Sequence, residues 1–302
     1  MVGRSLIAGV ASAAREWRLV LLLWLWNLVF ALAAALPFAR WWHGSLDWTT
    51  EARTLAHGFD LSLIPDLVEG DPSVLPTIAA ATVAVLLLAA LGSLLVSAGV
   101  LEVLLSSRRG EGDGAGAPAA LPRFFGGAGR YFGRNLRLSL LHALVTGVVV
   151  AVVYWLLRRA TSPLQDSLSE VGTWTRFLLP LAGAAAVWLL MSLVLDFGRT
   201  HLVMTDERRA RRAWWAGLGF VRRHVVATSG YWLVLMAGLA VAYLAYRAVG
   251  TLAWGATWPH LVALVAAQQA FLLWRAATRV CLTGGQVEQA AWLGLPGADR
   301  VR

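Results

Sequence analysis

The sequence predicts an all-α polytopic membrane protein: a bundle of six transmembrane helices with short amphipathic helices at the interface. Three observations carry that expectation. Apolar residues make up 58% of the 302 and charged residues 14%, against roughly 45–50% and about 25% in a soluble domain. Six stretches approach or exceed the length of about 20 residues needed to cross a hydrocarbon layer of about 30 Å. The runs are continuously apolar rather than alternating, which favours helices over a barrel. A single Cys excludes a disulfide scaffold, and the apolar excess excludes a disordered chain or a free cytosolic enzyme. The net charge is +9 and all 26 basic residues are Arg. Basic nucleic-acid binders are polar and this chain is not, so no nucleic-acid partner is expected.

The six spans cover residues 19–36, 76–105, 136–157, 177–195, 225–249 and 259–282. The first has the positive front of a signal peptide in Arg4, Arg15 and Arg18, and small residues at Ala33, Ala34 and Ala35. Its apolar run exceeds the roughly 7–15 residues of a signal core, and it carries Trp24, Trp26 and Asn27. It reads as a retained helix.

Alternate loops differ in Arg. The N-terminal segment, the loops after the second and fourth spans, and the C-terminal segment hold twenty; the other side holds six: Arg40, Arg53, Arg158, Arg159, Arg176 and Arg247. Positive-inside bias places both termini in the cytoplasm, which an even number of spans also requires. Arg without Lys, with abundant Ala, Gly and Leu, suggests a GC-rich bacterial genome, and the expected location is a bacterial inner membrane. Trp41, Trp42, Trp174, Trp254 and Trp258 fall near the outer boundary, and Trp214 and Trp215 near the inner one, where amphipathic rings are favoured.

Each odd-numbered span follows a stretch mixing apolar or aromatic residues with Arg. These are Leu6, Ile7, Val10, Ala14 and Trp17; then Phe124, Phe125, Tyr131 and Phe132; then Trp214, Trp215, Leu218 and Phe220. Such stretches suit interfacial helices and suggest three units, each an interfacial helix followed by a hairpin. The whole of 1–302 reads as one transmembrane domain. Within it, 37–75 is an acidic extracytoplasmic loop with a short amphipathic helix broken at Pro65. Residues 106–135 are a cytoplasmic Gly-rich linker and interfacial helix, and 196–224 an Arg-rich cytoplasmic loop with another.

Ionisable groups in hydrocarbon cost roughly 2.5–3.5 kcal/mol each at a helix centre, so they mark candidate sites. Glu102, Asp196, Arg199, Arg275 and Arg279 gather at the inner ends of the second, fourth and sixth spans. Gln268, Arg275, Arg279 and Gln286 share a helical stripe expected to face the interior, with Phe271 and Trp274 toward lipid. Pairing of Glu102 and Asp196 with Arg275 and Arg279 would make an inner-mouth cluster. It reads as a static lock between helices, or as a gate or headgroup site; the lock is preferred because burial is cheap near a boundary. Asn27, His142, Gln268 and Gln269 lie deeper and suit interhelical hydrogen bonds. Ala89, Ser93 and Ser97, then Ala143, Gly147 and Ala151, suit close helix approach. Arg208, Arg209, Arg211, Arg212, Arg222 and Arg223 are candidate contacts for anionic headgroups, with a purely topogenic role as the alternative.

No metal or cofactor is expected. His43, Asp47, Glu51 and His57 lack the spacing of a zinc motif, the Gly112–Gly116 run is not a phosphate loop, and Cys281 has no evident base. The run Asp196-Phe-Gly-Arg199, with Leu202, Asp206, Glu207, Ala213 and Trp214, resembles a pattern in bacterial six-span proteins. These are similar to the membrane domain attached to some glycerophosphodiester phosphodiesterases and to related domains of unknown role. The resemblance covers 196–224; it implies a six-helix inner-membrane protein and carries over no activity, the catalytic domain being absent. Three classes follow: a non-catalytic module organising lipid or a membrane complex, which is preferred; a transporter-like subunit or channel using the sixth-span stripe; and an intramembrane enzyme. The expected partner is the bilayer with its anionic headgroups, and a second copy or another membrane protein stays open.

Overall fold

The computed structural model describes residues 2–45, 74–110, 120–162, 170–252 and 258–297, and all its regular elements are helices. These are α1 (Val2–Arg15), α2 (Trp17–Ser45), α3 (Val74–Arg108), α4 (Ala120–Ala160), α5 (Glu170–Thr205), α6 (Ala210–Arg223), α7 (Val225–Leu252) and α8 (Trp258–Trp292). Six are long and apolar enough to cross a membrane: α2, α3, α4, α5, α7 and α8. The chain is therefore an all-α, multi-pass membrane protein. The metal candidates Asp47, Glu51 and His57, most of the acidic loop, the Gly112–Gly116 run and Trp254 lie outside the described residues, as do the side chains of Trp41, Trp42 and His43.

The helices outrun their apolar cores. α4 has 41 residues and α5 has 36, about 61 and 54 Å at 1.5 Å per residue, well beyond the ~30 Å hydrocarbon layer. α4 starts sixteen residues before the expected span, so the stretch holding Phe124, Phe125, Tyr131 and Phe132 is no separate interfacial helix but the first turns of α4. α1 and α6 are separate, broken from the following helix at Glu16 and His224. Of the three expected units, the second thus lacks its break.

The larger of two compact units comprises Met1–Val20 and Leu94–Arg302. In it α4 pairs with α5, α7 with α8, α1 crosses α8, and α6 lies on α5 and α4. Its core gathers at the arginine-rich end: Leu101 and Leu105 of α3, Leu138 of α4, Phe197, Leu202 and Met204 of α5, Trp214 and Phe220 of α6, and Val287 of α8. Further along, Leu144, Leu181, Val241 and Val262 are more than half exposed. An apolar surface of that extent suits lipid, not water. The smaller unit, Leu21–Ser93, packs the Trp26 indole over Gly92 and against Phe30, ring centroids 5.0 Å apart.

Two crossings fix the larger unit. A Cβ on Gly217 of α6 would stand 2.7 Å from the Gly198 nitrogen of α5, so only Gly lets the two backbones touch. At the other, Gly9 of α1 meets the Cys281 carbonyl of α8, which also accepts from the Tyr231 hydroxyl of α7 at 2.6 Å. Ala143 and Ala151 face outward, and a Cβ on Gly147 would meet nothing. That expected small-residue stripe makes no close approach.

Candidate functional site

A chain of polar contacts crosses the arginine-rich end. Asn135 of α4 is 2% exposed. Its amide donates to the Leu94 carbonyl at 2.8 Å and the Ser97 hydroxyl at 2.9 Å, both on α3. Its Oδ1 accepts from Arg199 Nε of α5 at 3.0 Å, and Arg199 Nη2 donates to Ser139 Oγ at 3.0 Å. The remaining Nη1 lies 3.9 Å from Asp196 Oδ1, one helical turn away. Asp196 Oδ2 then accepts from Gln286 Nε2 of α8 at 3.2 Å. Arg279 is near enough to attract Asp196 electrostatically but not in contact. Four helices are thereby stitched through two charges and two buried amides, and each donor of the Arg199 fork has a nearby acceptor. The hydrogen bonds of this network fix geometry across the helices, and the Arg199–Asp196 pair at 3.9 Å adds attraction without a hydrogen bond.

The structure brings together Asp196, Arg199 and, at longer range, Arg279. It does not bring Glu102 to them: the Glu102 stem packs on Gly127 of α4, and its charge acts on Tyr131 and Arg130. Arg275 and Gln268 are exposed. The stripe on α8 turns inward at Gln286, while Phe271, expected toward lipid, stacks on Tyr246 of α7 at 5.7 Å.

Among the deeper polar residues, Asn27 donates to the Leu23 carbonyl of its own helix at 2.8 Å, and Gln269 is half-buried. His142 joins two helices. Trp214 Nε1, which can only donate, points at His142 Nδ1 at 3.4 Å. In the neutral ring Nε2 then carries the proton, and it donates to Thr146 Oγ1 at 3.1 Å. This contact helps hold α6 on α4, with Phe220 against Phe197 of α5 at 4.6 Å. The apolar face of α6 (Ala213, Trp214, Gly217, Phe220, Val221) is therefore buried in protein rather than in lipid. The reason is the Gly198–Gly217 crossing, which admits the helix onto the bundle. Its opposite face exposes Arg211, Arg212, Trp215, Arg222 and Arg223, and Arg208 and Arg209 are exposed just before it.

Between α5 and α6, Asp206 has φ of +54°. Glu207 N–H bonds back to the Leu202 carbonyl at 3.1 Å, closing α5 with a six-residue turn that usually takes Gly at this position. Asp tolerates it better than most residues, and here Arg134 (2.5 Å) and Arg130 (3.1 Å) clamp its carboxylate. Desolvation pushes the Asp206 carboxyl up, but the Arg134 hydrogen bond and the charges of Arg130 and Arg134 outweigh it, leaving it below the usual carboxylate range. Glu207 also sits below its usual range, because the backbone N–H groups of Arg209 and Arg208 donate to its carboxylate.

Asn135, Ser139, Ser97 and Gln286 were not among the expected cluster residues. Asn135 immediately precedes an apolar run and Gln286 lies on the flagged stripe, which are the signals that point to them. No family model, curated protein or solved structure matches this chain.

Proposed function

We propose that the protein is a non-catalytic module of a bacterial cytoplasmic membrane, both termini inside, that organises lipid or a membrane complex through its arginine-rich end. The observation that carries this is α6: one face is fixed on the bundle while the other presents four arginines around an exposed Trp215. Anionic headgroups attract such charges by about 1 kcal/mol each, and an indole among them suits the headgroup layer. The Asn135–Arg199–Asp196–Gln286 chain of contacts, which ties four helices together, supports a static base over a moving gate. The likeness of 196–224 to domains of unknown role agrees with this reading and adds no activity.

Reconstituted full-length protein tests it. The wild type is expected to hold phosphatidylglycerol through detergent purification, and Arg211→Gln/Arg212→Gln/Arg222→Gln/Arg223→Gln to lose most of it. Equal retention by both would overturn the headgroup role. For orientation, single cysteines placed at Arg208 and Asp60 in a Cys281→Ser chain should label from opposite sides of the membrane, Asp60 from outside. Labelling at Arg208 from outside would reverse the topology.

A further inference from the structure

The break between α1 and α2 at Glu16 opens on a cavity of about 330 Å³ bounded by α1, the end of α3 and α8. That is the small end of the ligand-pocket range of about 300–1,000 Å³. Glu16 lines it and is 8% exposed. Its Oε1 accepts from the Ser107 hydroxyl at 2.5 Å. Its Oε2 accepts from no described residue, and no described cation comes within ion-pair distance. The other carboxylate on the wall, Glu288, is occupied by Arg108 at 2.6 Å and Arg4 at 3.0 Å. Arg15 also lines the cavity, with an exposed guanidinium that has no partner among the described residues.

A nearly buried carboxylate lacking a counter-cation is an unfavourable arrangement that a bound cation relieves. The cation must fit a small space and donate hydrogen bonds, which describes a primary ammonium. Arg15, beside it in sequence and on the same wall, asks for an anion, and phosphate suits its fork. A molecule bearing both groups a few bonds apart satisfies the two together. The setting of α1 favours a lipid as its source. α1 turns Ser5 and Gly9 inward, while Ile7 is 73% and Val10 59% exposed, with Trp17 55% exposed just beyond its end. A helix with its polar face inward and its apolar face outward suits the layer where headgroups meet acyl chains.

We propose that this cavity binds the phosphoethanolamine headgroup of a membrane lipid, its ammonium on Glu16 and its phosphate on Arg15. The site rests on the membrane-module reading above but uses different residues from the α6 arginines. A trimethylated choline nitrogen has no N–H to offer Glu16, so the site discriminates between two zwitterionic lipids of equal charge.

Native mass spectrometry of the full chain in dodecyl maltoside tests this, using dioctanoyl phosphatidylethanolamine, phosphatidylcholine and phosphatidylglycerol, and free phosphoethanolamine. The ethanolamine lipid is expected to bind about tenfold or more tighter than the choline lipid. Glu16→Gln should abolish that preference, and Arg15→Gln should weaken both lipids while preserving it. Ala11→Phe fills the cavity without altering its charge and should remove the preference even if Glu16→Gln fails to fold. Equal binding of the two lipids by the wild type, or a preference surviving in a folded Glu16→Gln or Ala11→Phe variant, would overturn the site. Free phosphoethanolamine competing as well as the lipid would overturn the lipid source. If phosphatidylglycerol still depends on the α6 arginines while the ethanolamine preference is missing, this site alone fails; if neither lipid is held, the module reading fails with it.

Discussion

The two ends of α4 and α5 obey different rules. At the arginine-rich end their side chains interlock with α3, α6 and α8, and polar groups find partners across helices. Beyond Leu140 of α4 and before Leu190 of α5, large apolar side chains stand exposed. Water would not tolerate the second region; lipid gives no hydrophobic reason to close it. Fold specificity therefore concentrates where the helices leave the apolar stretch and geometry must be set by hydrogen bonds, glycine contacts and a small core. Beyond the His142–Trp214 join, the exposed apolar side chains of these halves meet chiefly the requirement to match hydrocarbon.

The sharpest way to break this contrast is to delete one charge from the lattice. Arg199→Ala leaves Asp196 without its close cation and Asn135 Oδ1 without a donor. Removing one partner of a buried pair costs about 3–5 kcal/mol, and the side chains of Arg199 and Asp196 retain 16% and 29% exposure, which places the expected loss toward the lower figure. Leu144→Ala in the exposed half of α4 should stay within about 0.5 kcal/mol. Thermal unfolding of both variants in one detergent checks the pair. A comparable loss from Leu144→Ala would mean that the apolar halves also carry stability.

Next in size is Gly217→Val. A Cβ carrying two methyls must enter where that Cβ alone would stand 2.5 Å from the Val194 carbonyl oxygen and 2.7 Å from the Gly198 nitrogen. Overpacking of this kind costs about 1–3 kcal/mol, and α6 should detach before the rest unfolds. Protease cleavage between α5 and α6 reads that step. Gly219→Val, where a Cβ meets nothing, is the matched control and should resist cleavage like the wild type.

These two regions were unequally legible. The six spans were plain because hydrocarbon demands long apolar runs, and no other fold explains them. The helix ends were not, since a polar amphipathic stretch such as 120–135 looks the same whether it lies flat or continues a span. Asp196 and Arg199 stood out as charges close to apolar runs. Asn135 and Gln286 did not, because an uncharged amide near a boundary carries little cost to betray it. Glu102 was assigned the wrong neighbours: a sequence gives the depth of a residue but not the helix its side chain meets. The Ala213–Gly217 spacing on the apolar face of α6 was a readable sign of close packing.

A smaller effect sharpens the join between the regions. Trp214→Phe keeps most of the buried ring but removes the donor to His142. At 3.4 Å this hydrogen bond is long, so the loss should fall at the lower end of about 0.5–1.5 kcal/mol. His142→Ala also takes away the Thr146 contact and should cost more. If the two losses are equal, His142 acts on α6 through Trp214 alone.

The smallest expected effect is electrostatic and concerns the turn that closes α5. Against the upward push of desolvation, Arg134 and Arg130 hold the Asp206 carboxyl below the ordinary aspartate range. A group depressed on folding contributes stability that is fully present above its unfolded pKa and is lost as pH falls through the folded one. The Asp206 contribution should therefore be intact at neutral pH and decline only below about pH 4. Its carboxylate is 40% exposed, so solvent screening keeps the effect small. Asp206→Asn tolerates the same left-handed backbone and removes the charge together with one of the two acceptor oxygens that Arg134 and Arg130 use. Melting temperatures from pH 3 to 6 should show the gap between wild type and Asp206→Asn closing as acid is added. A gap that stays constant across that range would assign the clamp to hydrogen bonding without charge, and the turn would then hold α6 in place by backbone geometry.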